Sequence, residues 1–508
     1  MNALSEYTNS FFGWIADVLF NTFIIGMAVL FVTIIVLYIS DVTQTQHTIR
    51  RNYPVIGRFR YLFEKLGEFF RQYFFAQDRE ELPFNRSQRS WVYRAAKNLD
   101  NTQAFGSTRD SEREGHIVFV NSGFPVLDEE ATPIEPITFG PGARQPYSTA
   151  SLFNISGMSY GAISKPAVQA LSRGAKLAGC WMCTGEGGLS DYHLEGDCDV
   201  VFQIGTAKYG VRDDFGKYNL ERLQQVASLP QVKMLELKLS QGAKPGKGGI
   251  LPAVKVTEEI ARIRCIAVGK ASISPNRHYE IGNHRELVEH LHWLRDFSGK
   301  PVGIKTVLGD ESWIDELLRT INELGPHMAP DFITLDGANG GTGAAPMSLI
   351  DDVGLGLQEA LPLLVDKLVE HNLRDRIRVI ASGKLINPTD VAWALCVGAD
   401  AVNNARGFMF SLGCIQAMQC NQNTCPTGIT THDPKLQRGL IVGDKAQRVA
   451  NYQRNMIREV NVIAHSCGVP NARHLTRQHA RVVLGPSASI TLKDYYRRKR
   501  DAVDAQAL

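Results

Sequence analysis

Cys414, Cys420 and Cys425 share one stretch, "CIQAMQCNQNTCPTG", with five and four residues between them and Pro426 directly after the last. Thiolates at such spacing suit an iron–sulfur cluster, and the closing proline echoes the ending of bacterial ferredoxin runs. Three ligands point to a three-iron cluster. Zinc competes, because His432 would complete a Cys3His set. Three unrelated buried thiols are the remaining reading.

Other residues point to a phosphate-bearing cofactor. "DGANGGTGAAP" (Asp336 to Pro346, with Gly340 and Gly341) suits close approach of backbone to a flat ring, while "SGKL" (Ser382, Gly383) and "NARG" (Arg406, Gly407) present small residues and a cation to an anion. Each loop alone reads as an ordinary turn; together they favour a mononucleotide such as FMN. Lys305, in "VGIKTV", is the cation expected beside the flavin, where a fixed ammonium stabilises the charge of the reduced ring. Its plain alternative is an ion-paired structural lysine. No G-x-G-x-x-G run occurs, so electrons are expected from a partner rather than from a built-in NAD(P) domain. Cys414 follows Gly407 by seven residues, at most ~25 Å of chain and ~10 Å if helical, which keeps the thiols within reach of a flavin.

The elements that must hold these groups are legible as strands followed by helices. "SLFNIS", "CWMCTG", "VFQIG", "KMLELKL", "PVGIKTV", "DFITLDG", "IRVIASG" and "DAVNNARG" make eight units over roughly 260 residues, the count and length of an α/β (β/α)8 TIM barrel. A doubly wound sheet is the alternative. Polar residues at the strand ends (Thr184, Gln203, Lys238, Lys305, Asp336, Ser382, Arg406) favour the barrel, whose C-terminal rim carries the active site. The stretch after Arg448 reads as helix, then as an irregular basic tail, "YYRRKR".

The chain has 508 residues, 44% hydrophobic and 21% charged, a globular mix; its net charge of +3 gives no footprint for nucleic acid. From Val18 to Ser40, 23 residues carry no charge, enough to cross a ~30 Å hydrocarbon core. Arg50, Arg51, Arg58, Arg60, Lys65 and Arg71 follow it, so the positive-inside rule predicts a single-pass anchor in the cell membrane with the C-terminal bulk in the cytoplasm. There thiols stay reduced, which disfavours disulfides. Residues 53–77 mix aromatics with Arg and Lys, as in a helix lying on the membrane surface or packed on the soluble domain.

From about Phe105 to about Gly443 the chain resembles the FMN-binding central domain of glutamate synthase, in the form of single-domain, membrane-anchored bacterial relatives. The likeness is carried by "SGMSYGAIS", "TGEGGLS", "QIGTAKYGV", "KLSQGAKPGKGGILP", "LDGANGGTGAAP" and "LGCIQAMQCNQNTCPTG". It implies FMN held by Ser156, Gly157 and Met158, by Thr184, Gln203 and Lys305, and by the glycine loops. It also implies a 3Fe-4S cluster on Cys414, Cys420 and Cys425, and a 2-oxo acid on Gln241, Lys244 and Arg264. Glu186 is the candidate for guiding ammonium or a proton, or else caps a helix. The domains expected are an anchor (1–45), a juxtamembrane segment (46–104), the barrel (105–443) and a C-terminal helical extension (444–508).

The resemblance implies an oxidoreductase acting on CH–NH2 donors: electrons from an external donor such as ferredoxin pass through cluster and flavin to the imine of a 2-oxo acid, forming glutamate from 2-oxoglutarate and ammonia. Ile250 departs from the family, whose members have Gln there; losing that amide disfavours the keto acid and favours another imine, such as that of an N-alkylated amino acid. No glutaminase segment is found, so ammonia is expected to be free or to come from a separate amidotransferase subunit. A membrane electron-transfer subunit without substrate turnover is the alternative from another class.

Overall fold

A computed structural model describes residues 2–498 and divides into two compact units, Met1–Ser87 and Gln88–Leu508. In the first, the helix Asn2–Thr43 contains an apolar stretch, Gly13–Thr43, long enough to cross a membrane, and no residue of its most apolar part is buried. Near its end the buried Asp41 receives Arg50, the paired Nε and Nη2 of Arg58 at 2.8 Å, and the Val55 N–H at 3.0 Å. One carboxylate thus ties the end of the apolar helix to the short helix Thr48–Asn52, through Arg50, and to the start of Gly57–Phe70. Phe59, Phe63, Leu66 and Phe70 recur along that helix every three or four residues, forming one exposed apolar face.

The second unit is built on a closed parallel barrel: β1 (Phe153–Ile155), β2 (Met182–Cys183), β3 (Val200–Ile204), β4 (Val232–Lys238), β5 (Val302–Thr306), β6 (Phe332–Asp336), β7 (Arg378–Ser382) and β8 (Ala401–Asn404). All eight lie within a residue of the segments read from sequence. Their near-continuous burial is what strands covered by helices on one side and by barrel interior on the other require. A hairpin, Ile137–Phe139 with Tyr147–Thr149, closes the N-terminal mouth: Phe139 meets Trp181 and Phe332 edge-on, at the starts of β2 and β6. The opposite mouth is left to carry chemistry.

The C-terminal stretch begins with the helix read from sequence and then departs from that reading. The helix Val442–Ser466 forms and packs on Lys165–Ala178 so closely that a Cβ on Gly174 would lie 2.5 Å from Val449. Beyond it, Ala480–Gly485 and Ala488–Thr491 form a hairpin that pairs antiparallel with Ile117–Phe119. The tail is not irregular either. Residues 492–498 are helical, with Tyr496 buried beneath Arg477; the last two residues of "YYRRKR" lie outside the described range. The aromatic pair supplies apolar area that its basic neighbours mask in composition.

Candidate functional site

Loops at the C-terminal ends of the strands converge on an open cleft of about 980 Å³. Its floor is backbone: Gly157 and Met158 after β1, Gly185 after β2. A Cβ on Gly157 would lie 3.1 Å from the Cα of Gly185, itself at φ +66°, so the floor stays flat only because neither residue carries a side chain. Buried His193 holds this turn, Nε2 donating to the Met158 carbonyl at 2.9 Å with Ser190 Oγ 2.8 Å from Nδ1. Burial pushes His193 down to about 4, so the ring is neutral at physiological pH.

Just beneath lies a hydrogen-bonded layer. Thr184 Oγ1 accepts the Gln203 N–H at 3.1 Å, and Gln203 Nε2 donates to Glu236 at 2.6 Å, leaving the amide edge in the cleft. Lys305 Nζ lies 3.3 Å from Asp336 and 3.5 Å from Ser156 Oγ, and Ser382 donates to the other oxygen of Asp336 at 2.9 Å. Burial works against the charge of Lys305, but Asp336 and Glu236 outweigh it and hold the ammonium above its usual value. Ser156, Thr184, Lys305 and Ser382 therefore support the floor rather than line the cleft.

One wall comes from the long connection after β4. Glu186 pairs with Lys238 at 3.0 Å, and Lys238 also donates to Gln241. Burial alone would raise Glu186, yet Lys238, Lys244 and Arg264 together keep it below the ordinary carboxylate range. Lys244 is buried, and its Nζ has no hydrogen bond or ion pair among the described residues; burial and nearby Lys238 pull it down to about 8 against the attraction of Glu186. Arg264 spends Nη1 on Ser272 and Nη2 on Ser159 and the Tyr160 carbonyl, and leaves Nε without a partner. Ser274 Oγ is likewise buried and unpartnered on the same wall. Unsatisfied buried donors are costly, so this wall is built to receive acceptor oxygens. Ile250, from the same connection, faces the same cleft.

Of the residues nominated for phosphate, Gly341 and Arg406 reach the cleft, Arg406 donating to the Thr342 carbonyl and so holding the glycine loop. Gly340, Gly383 and Gly407 do not line it. Gly340 N–H is bonded to the Gly337 carbonyl, Gly383 sits at φ +133° with its Cβ position 3.2 Å from Gly337 N, and Gly407 N–H is taken by Asn404 at 2.7 Å.

Cys420 lines the cleft, with Cys414 and Cys425 in the same loop. Burial pushes the Cys414 thiol up to about 11, whereas at Cys425 hydrogen bonds from Thr427 and Thr430 overcome burial and hold the thiol below its usual value. Among the described residues, the His, Cys, Asp and Glu ligand atoms that gather within 4.8 Å belong to Asp315, Glu370 and His371, where Lys367 already sits 3.2 Å from both carboxylates. The three thiols are spread wider than that. One tetrahedral zinc would hold its sulfurs ~3.8 Å apart, while a cluster spreads its thiolates over separate irons. His432 Nε2 donates to the Gly161 carbonyl at 2.8 Å. The donor set fits a cluster better than a single zinc.

Sequence reading missed Ser274, Ser159, His193 and Lys255. Ser159 sits inside "SGMSYGAIS" without being singled out there, and no motif marks the other three, which act through contacts made by residues distant in the chain.

A family model described as the conserved region in glutamate synthase matches residues 123–470. The glutamate synthase large subunit-like protein YerD of Bacillus subtilis (strain 168) is 41% identical over 497 residues, covering 90% of this chain and 94% of that one. The archaeal-type glutamate synthase (NADPH) of Thermotoga sp. (strain RQ2) is 33% identical over 65% of this chain, which spans 61% of that relative. A glutamate synthase large subunit-like protein of Rhizobium meliloti (strain 1021) is 29% identical over 66% of this chain and 75% of its own length. Among solved structures, a mutant flavocytochrome b2 with benzoylformate matches 77% of this chain and 82% of its own at 15% identity and a TM-score of 0.45.

Proposed function

The chain belongs to the glutamate synthase family, and from that premise we propose that its barrel is an FMN- and iron–sulfur-dependent oxidoreductase that reductively aminates a 2-oxo acid with electrons from an external donor. One observation carries the reading: Lys244, Arg264 Nε and Ser274 Oγ, all buried and without a partner among the described residues, lie on one wall above a glycine floor. That wall suits the carboxylate of a 2-oxo acid, and the floor suits a flat ring. Bound FMN would supply hydride transfer, and a cluster on Cys414, Cys420 and Cys425 would relay single electrons to it.

The chain's own residues do the rest. Gly157, Gly185 and the Gln203 amide receive the ring, and Gly341 and Arg406 the phosphate. Lys305, one layer below, lends positive charge to that face through Ser156. Lys244 and Arg264 orient the oxo acid. Glu186, kept ionised by Lys238, suits holding ammonium or accepting a proton as the imine forms. The apolar helix anchors the protein in a membrane, with the basic flank and barrel on the cytoplasmic side, and the aromatic face of Gly57–Phe70 rests at the lipid surface. Ammonia arrives free or from a separate subunit.

Ile250 favours a second reading within the same chemistry, an imine bearing an apolar N-substituent, because it gives the cleft an apolar surface where the resemblance implies an amide bonded to the keto acid. Product analysis separates the two. Anaerobic protein supplied with a one-electron donor and 2-oxoglutarate is given either ammonium or methylamine. Glutamate from ammonium supports the first reading and N-methylglutamate alone the second; no amino acid from either, with FMN bound, contradicts both.

A further inference from the structure

Lys255 belongs to no motif, yet it is among the largest fully buried side chains of the chain, 1% exposed. It ends a short 3-10 turn, Ala253–Lys255, directly after the cleft residues Ile250, Leu251 and Pro252. Its ammonium donates all three protons to backbone carbonyls: Ala162 at 3.2 Å, Cys420 at 2.7 Å and Thr430 at 2.6 Å. Two segments distant in sequence, the loop after β1 and the cysteine loop with its exit, are thereby pinned at one nitrogen.

The hydrogen bonding is complete, but the charge is not balanced. Lys255 forms no ion pair among the described residues, unlike the buried Lys305 and Lys238, which each have a carboxylate partner. A buried charge without counter-charge is strongly disfavoured, whereas carbonyl dipoles solvate an ammonium without cancelling it. The residue it touches in the cysteine loop is Cys420, one of the proposed cluster ligands, whose sulfurs carry negative charge when they bind iron.

We propose that Lys255 is the fixed counter-charge of the iron–sulfur centre and the tie between that centre and the substrate wall, an assignment that rests on the cluster reading above. A reduced cluster carries one more negative charge than an oxidised one, so a neighbouring ammonium favours the reduced state and raises the potential. Because the same side chain terminates the turn after Ile250–Pro252, it also fixes the distance between cleft and cysteine loop. Lys255 is a positioning residue, since its nitrogen faces carbonyls and not the reacting atoms.

The test is an EPR-monitored redox titration of full-length protein prepared without oxygen, with iron and labile sulfide measured on the same samples. Wild-type protein lacking iron and sulfide would sink the cluster reading, and the role of Lys255 with it, before any variant is made. Given a loaded wild type, Lys255→Met is expected to shift the cluster's midpoint to more negative values and Lys255→Arg to leave it near wild type. A loaded Lys255→Met with an unchanged midpoint overturns the proposal. Should Lys255→Met lose iron, Lys255→Arg decides: retained iron supports a requirement for charge, and iron lost from both while FMN stays bound overturns it.

Discussion

At the scale of single residues, the unpartnered groups of the cleft wall are the most informative feature. Lys244 is buried, near another cation and without a hydrogen bond or ion pair among the described residues, an arrangement that calls for an anion opposite. Lys244→Met is expected to raise the KM for a 2-oxo acid by roughly 30- to 150-fold, the equivalent of about 2–3 kcal/mol for one charge-assisted hydrogen bond, while flavin content stays unchanged. An unaltered KM places the carboxylate elsewhere. Cys420 supports a second expectation. Because the phosphate is proposed to rest on Gly341 and Arg406 rather than on the cysteine loop, Cys420→Ser should lose iron and labile sulfide yet keep FMN, and the flavin should be reducible by light but not by a one-electron protein donor. Loss of FMN as well would show that loop to be part of the flavin site. These residues were legible to different degrees. Cysteine spacing and the lysine of the "QGAKPG" loop stood out because they sit in short motifs, whereas the demotion of Ser382 and Gly407 rests on tertiary contacts that already hold their polar groups. Asn404, for example, occupies the Gly407 N–H.

At the scale of elements, the eight barrel strands were readable because each is a short apolar run ended by a polar residue, a pattern that survives without tertiary information. The C-terminal hairpin was not. Ala480–Gly485 is stabilised by pairing with Ile117–Phe119, more than 360 residues earlier in sequence, and strand pairing at such separation leaves no local signature. In the first unit the helix Gly57–Phe70 carries Phe59, Phe63, Leu66 and Phe70 on one exposed face with Arg60 and Lys65 off it. A peptide spanning residues 53–77 is expected to gain helix and bind vesicles containing anionic lipid, measured by circular dichroism, and to lose both when Phe63→Glu and Phe70→Glu are combined. Equal binding by the doubly substituted peptide would mean that the basic residues alone make the contact.

At the scale of the whole molecule, stability and pH are linked through histidines buried neutral. His193 is held at about 4 in the folded chain against an ordinary 6.5, and His278 is also lowered by burial. The unfolded chain therefore binds more protons between these values, so stability is complete above about pH 6.5 and falls as pH drops toward 4, by about 1.4 kcal/mol per pH unit for each such histidine. The urea midpoint should decline between pH 6.5 and 5, and His193→Gln should flatten part of that decline; an unchanged slope would show that His193 is protonated in the folded state. That linkage was invisible in sequence because neutrality is imposed by surrounding mass rather than by neighbours in the chain. The central claim, that a flavin on this floor passes hydride to the imine of an anionic oxo acid held by the wall, is tested most directly by single turnover. Protein with photoreduced flavin, kept free of oxygen, is mixed with 2-oxo acid plus ammonium or methylamine while flavin absorbance is followed. The account predicts reoxidation that needs both partners and slows sharply in Lys244→Met. Flavin that stays reduced with every oxo acid and amine pair would contradict it.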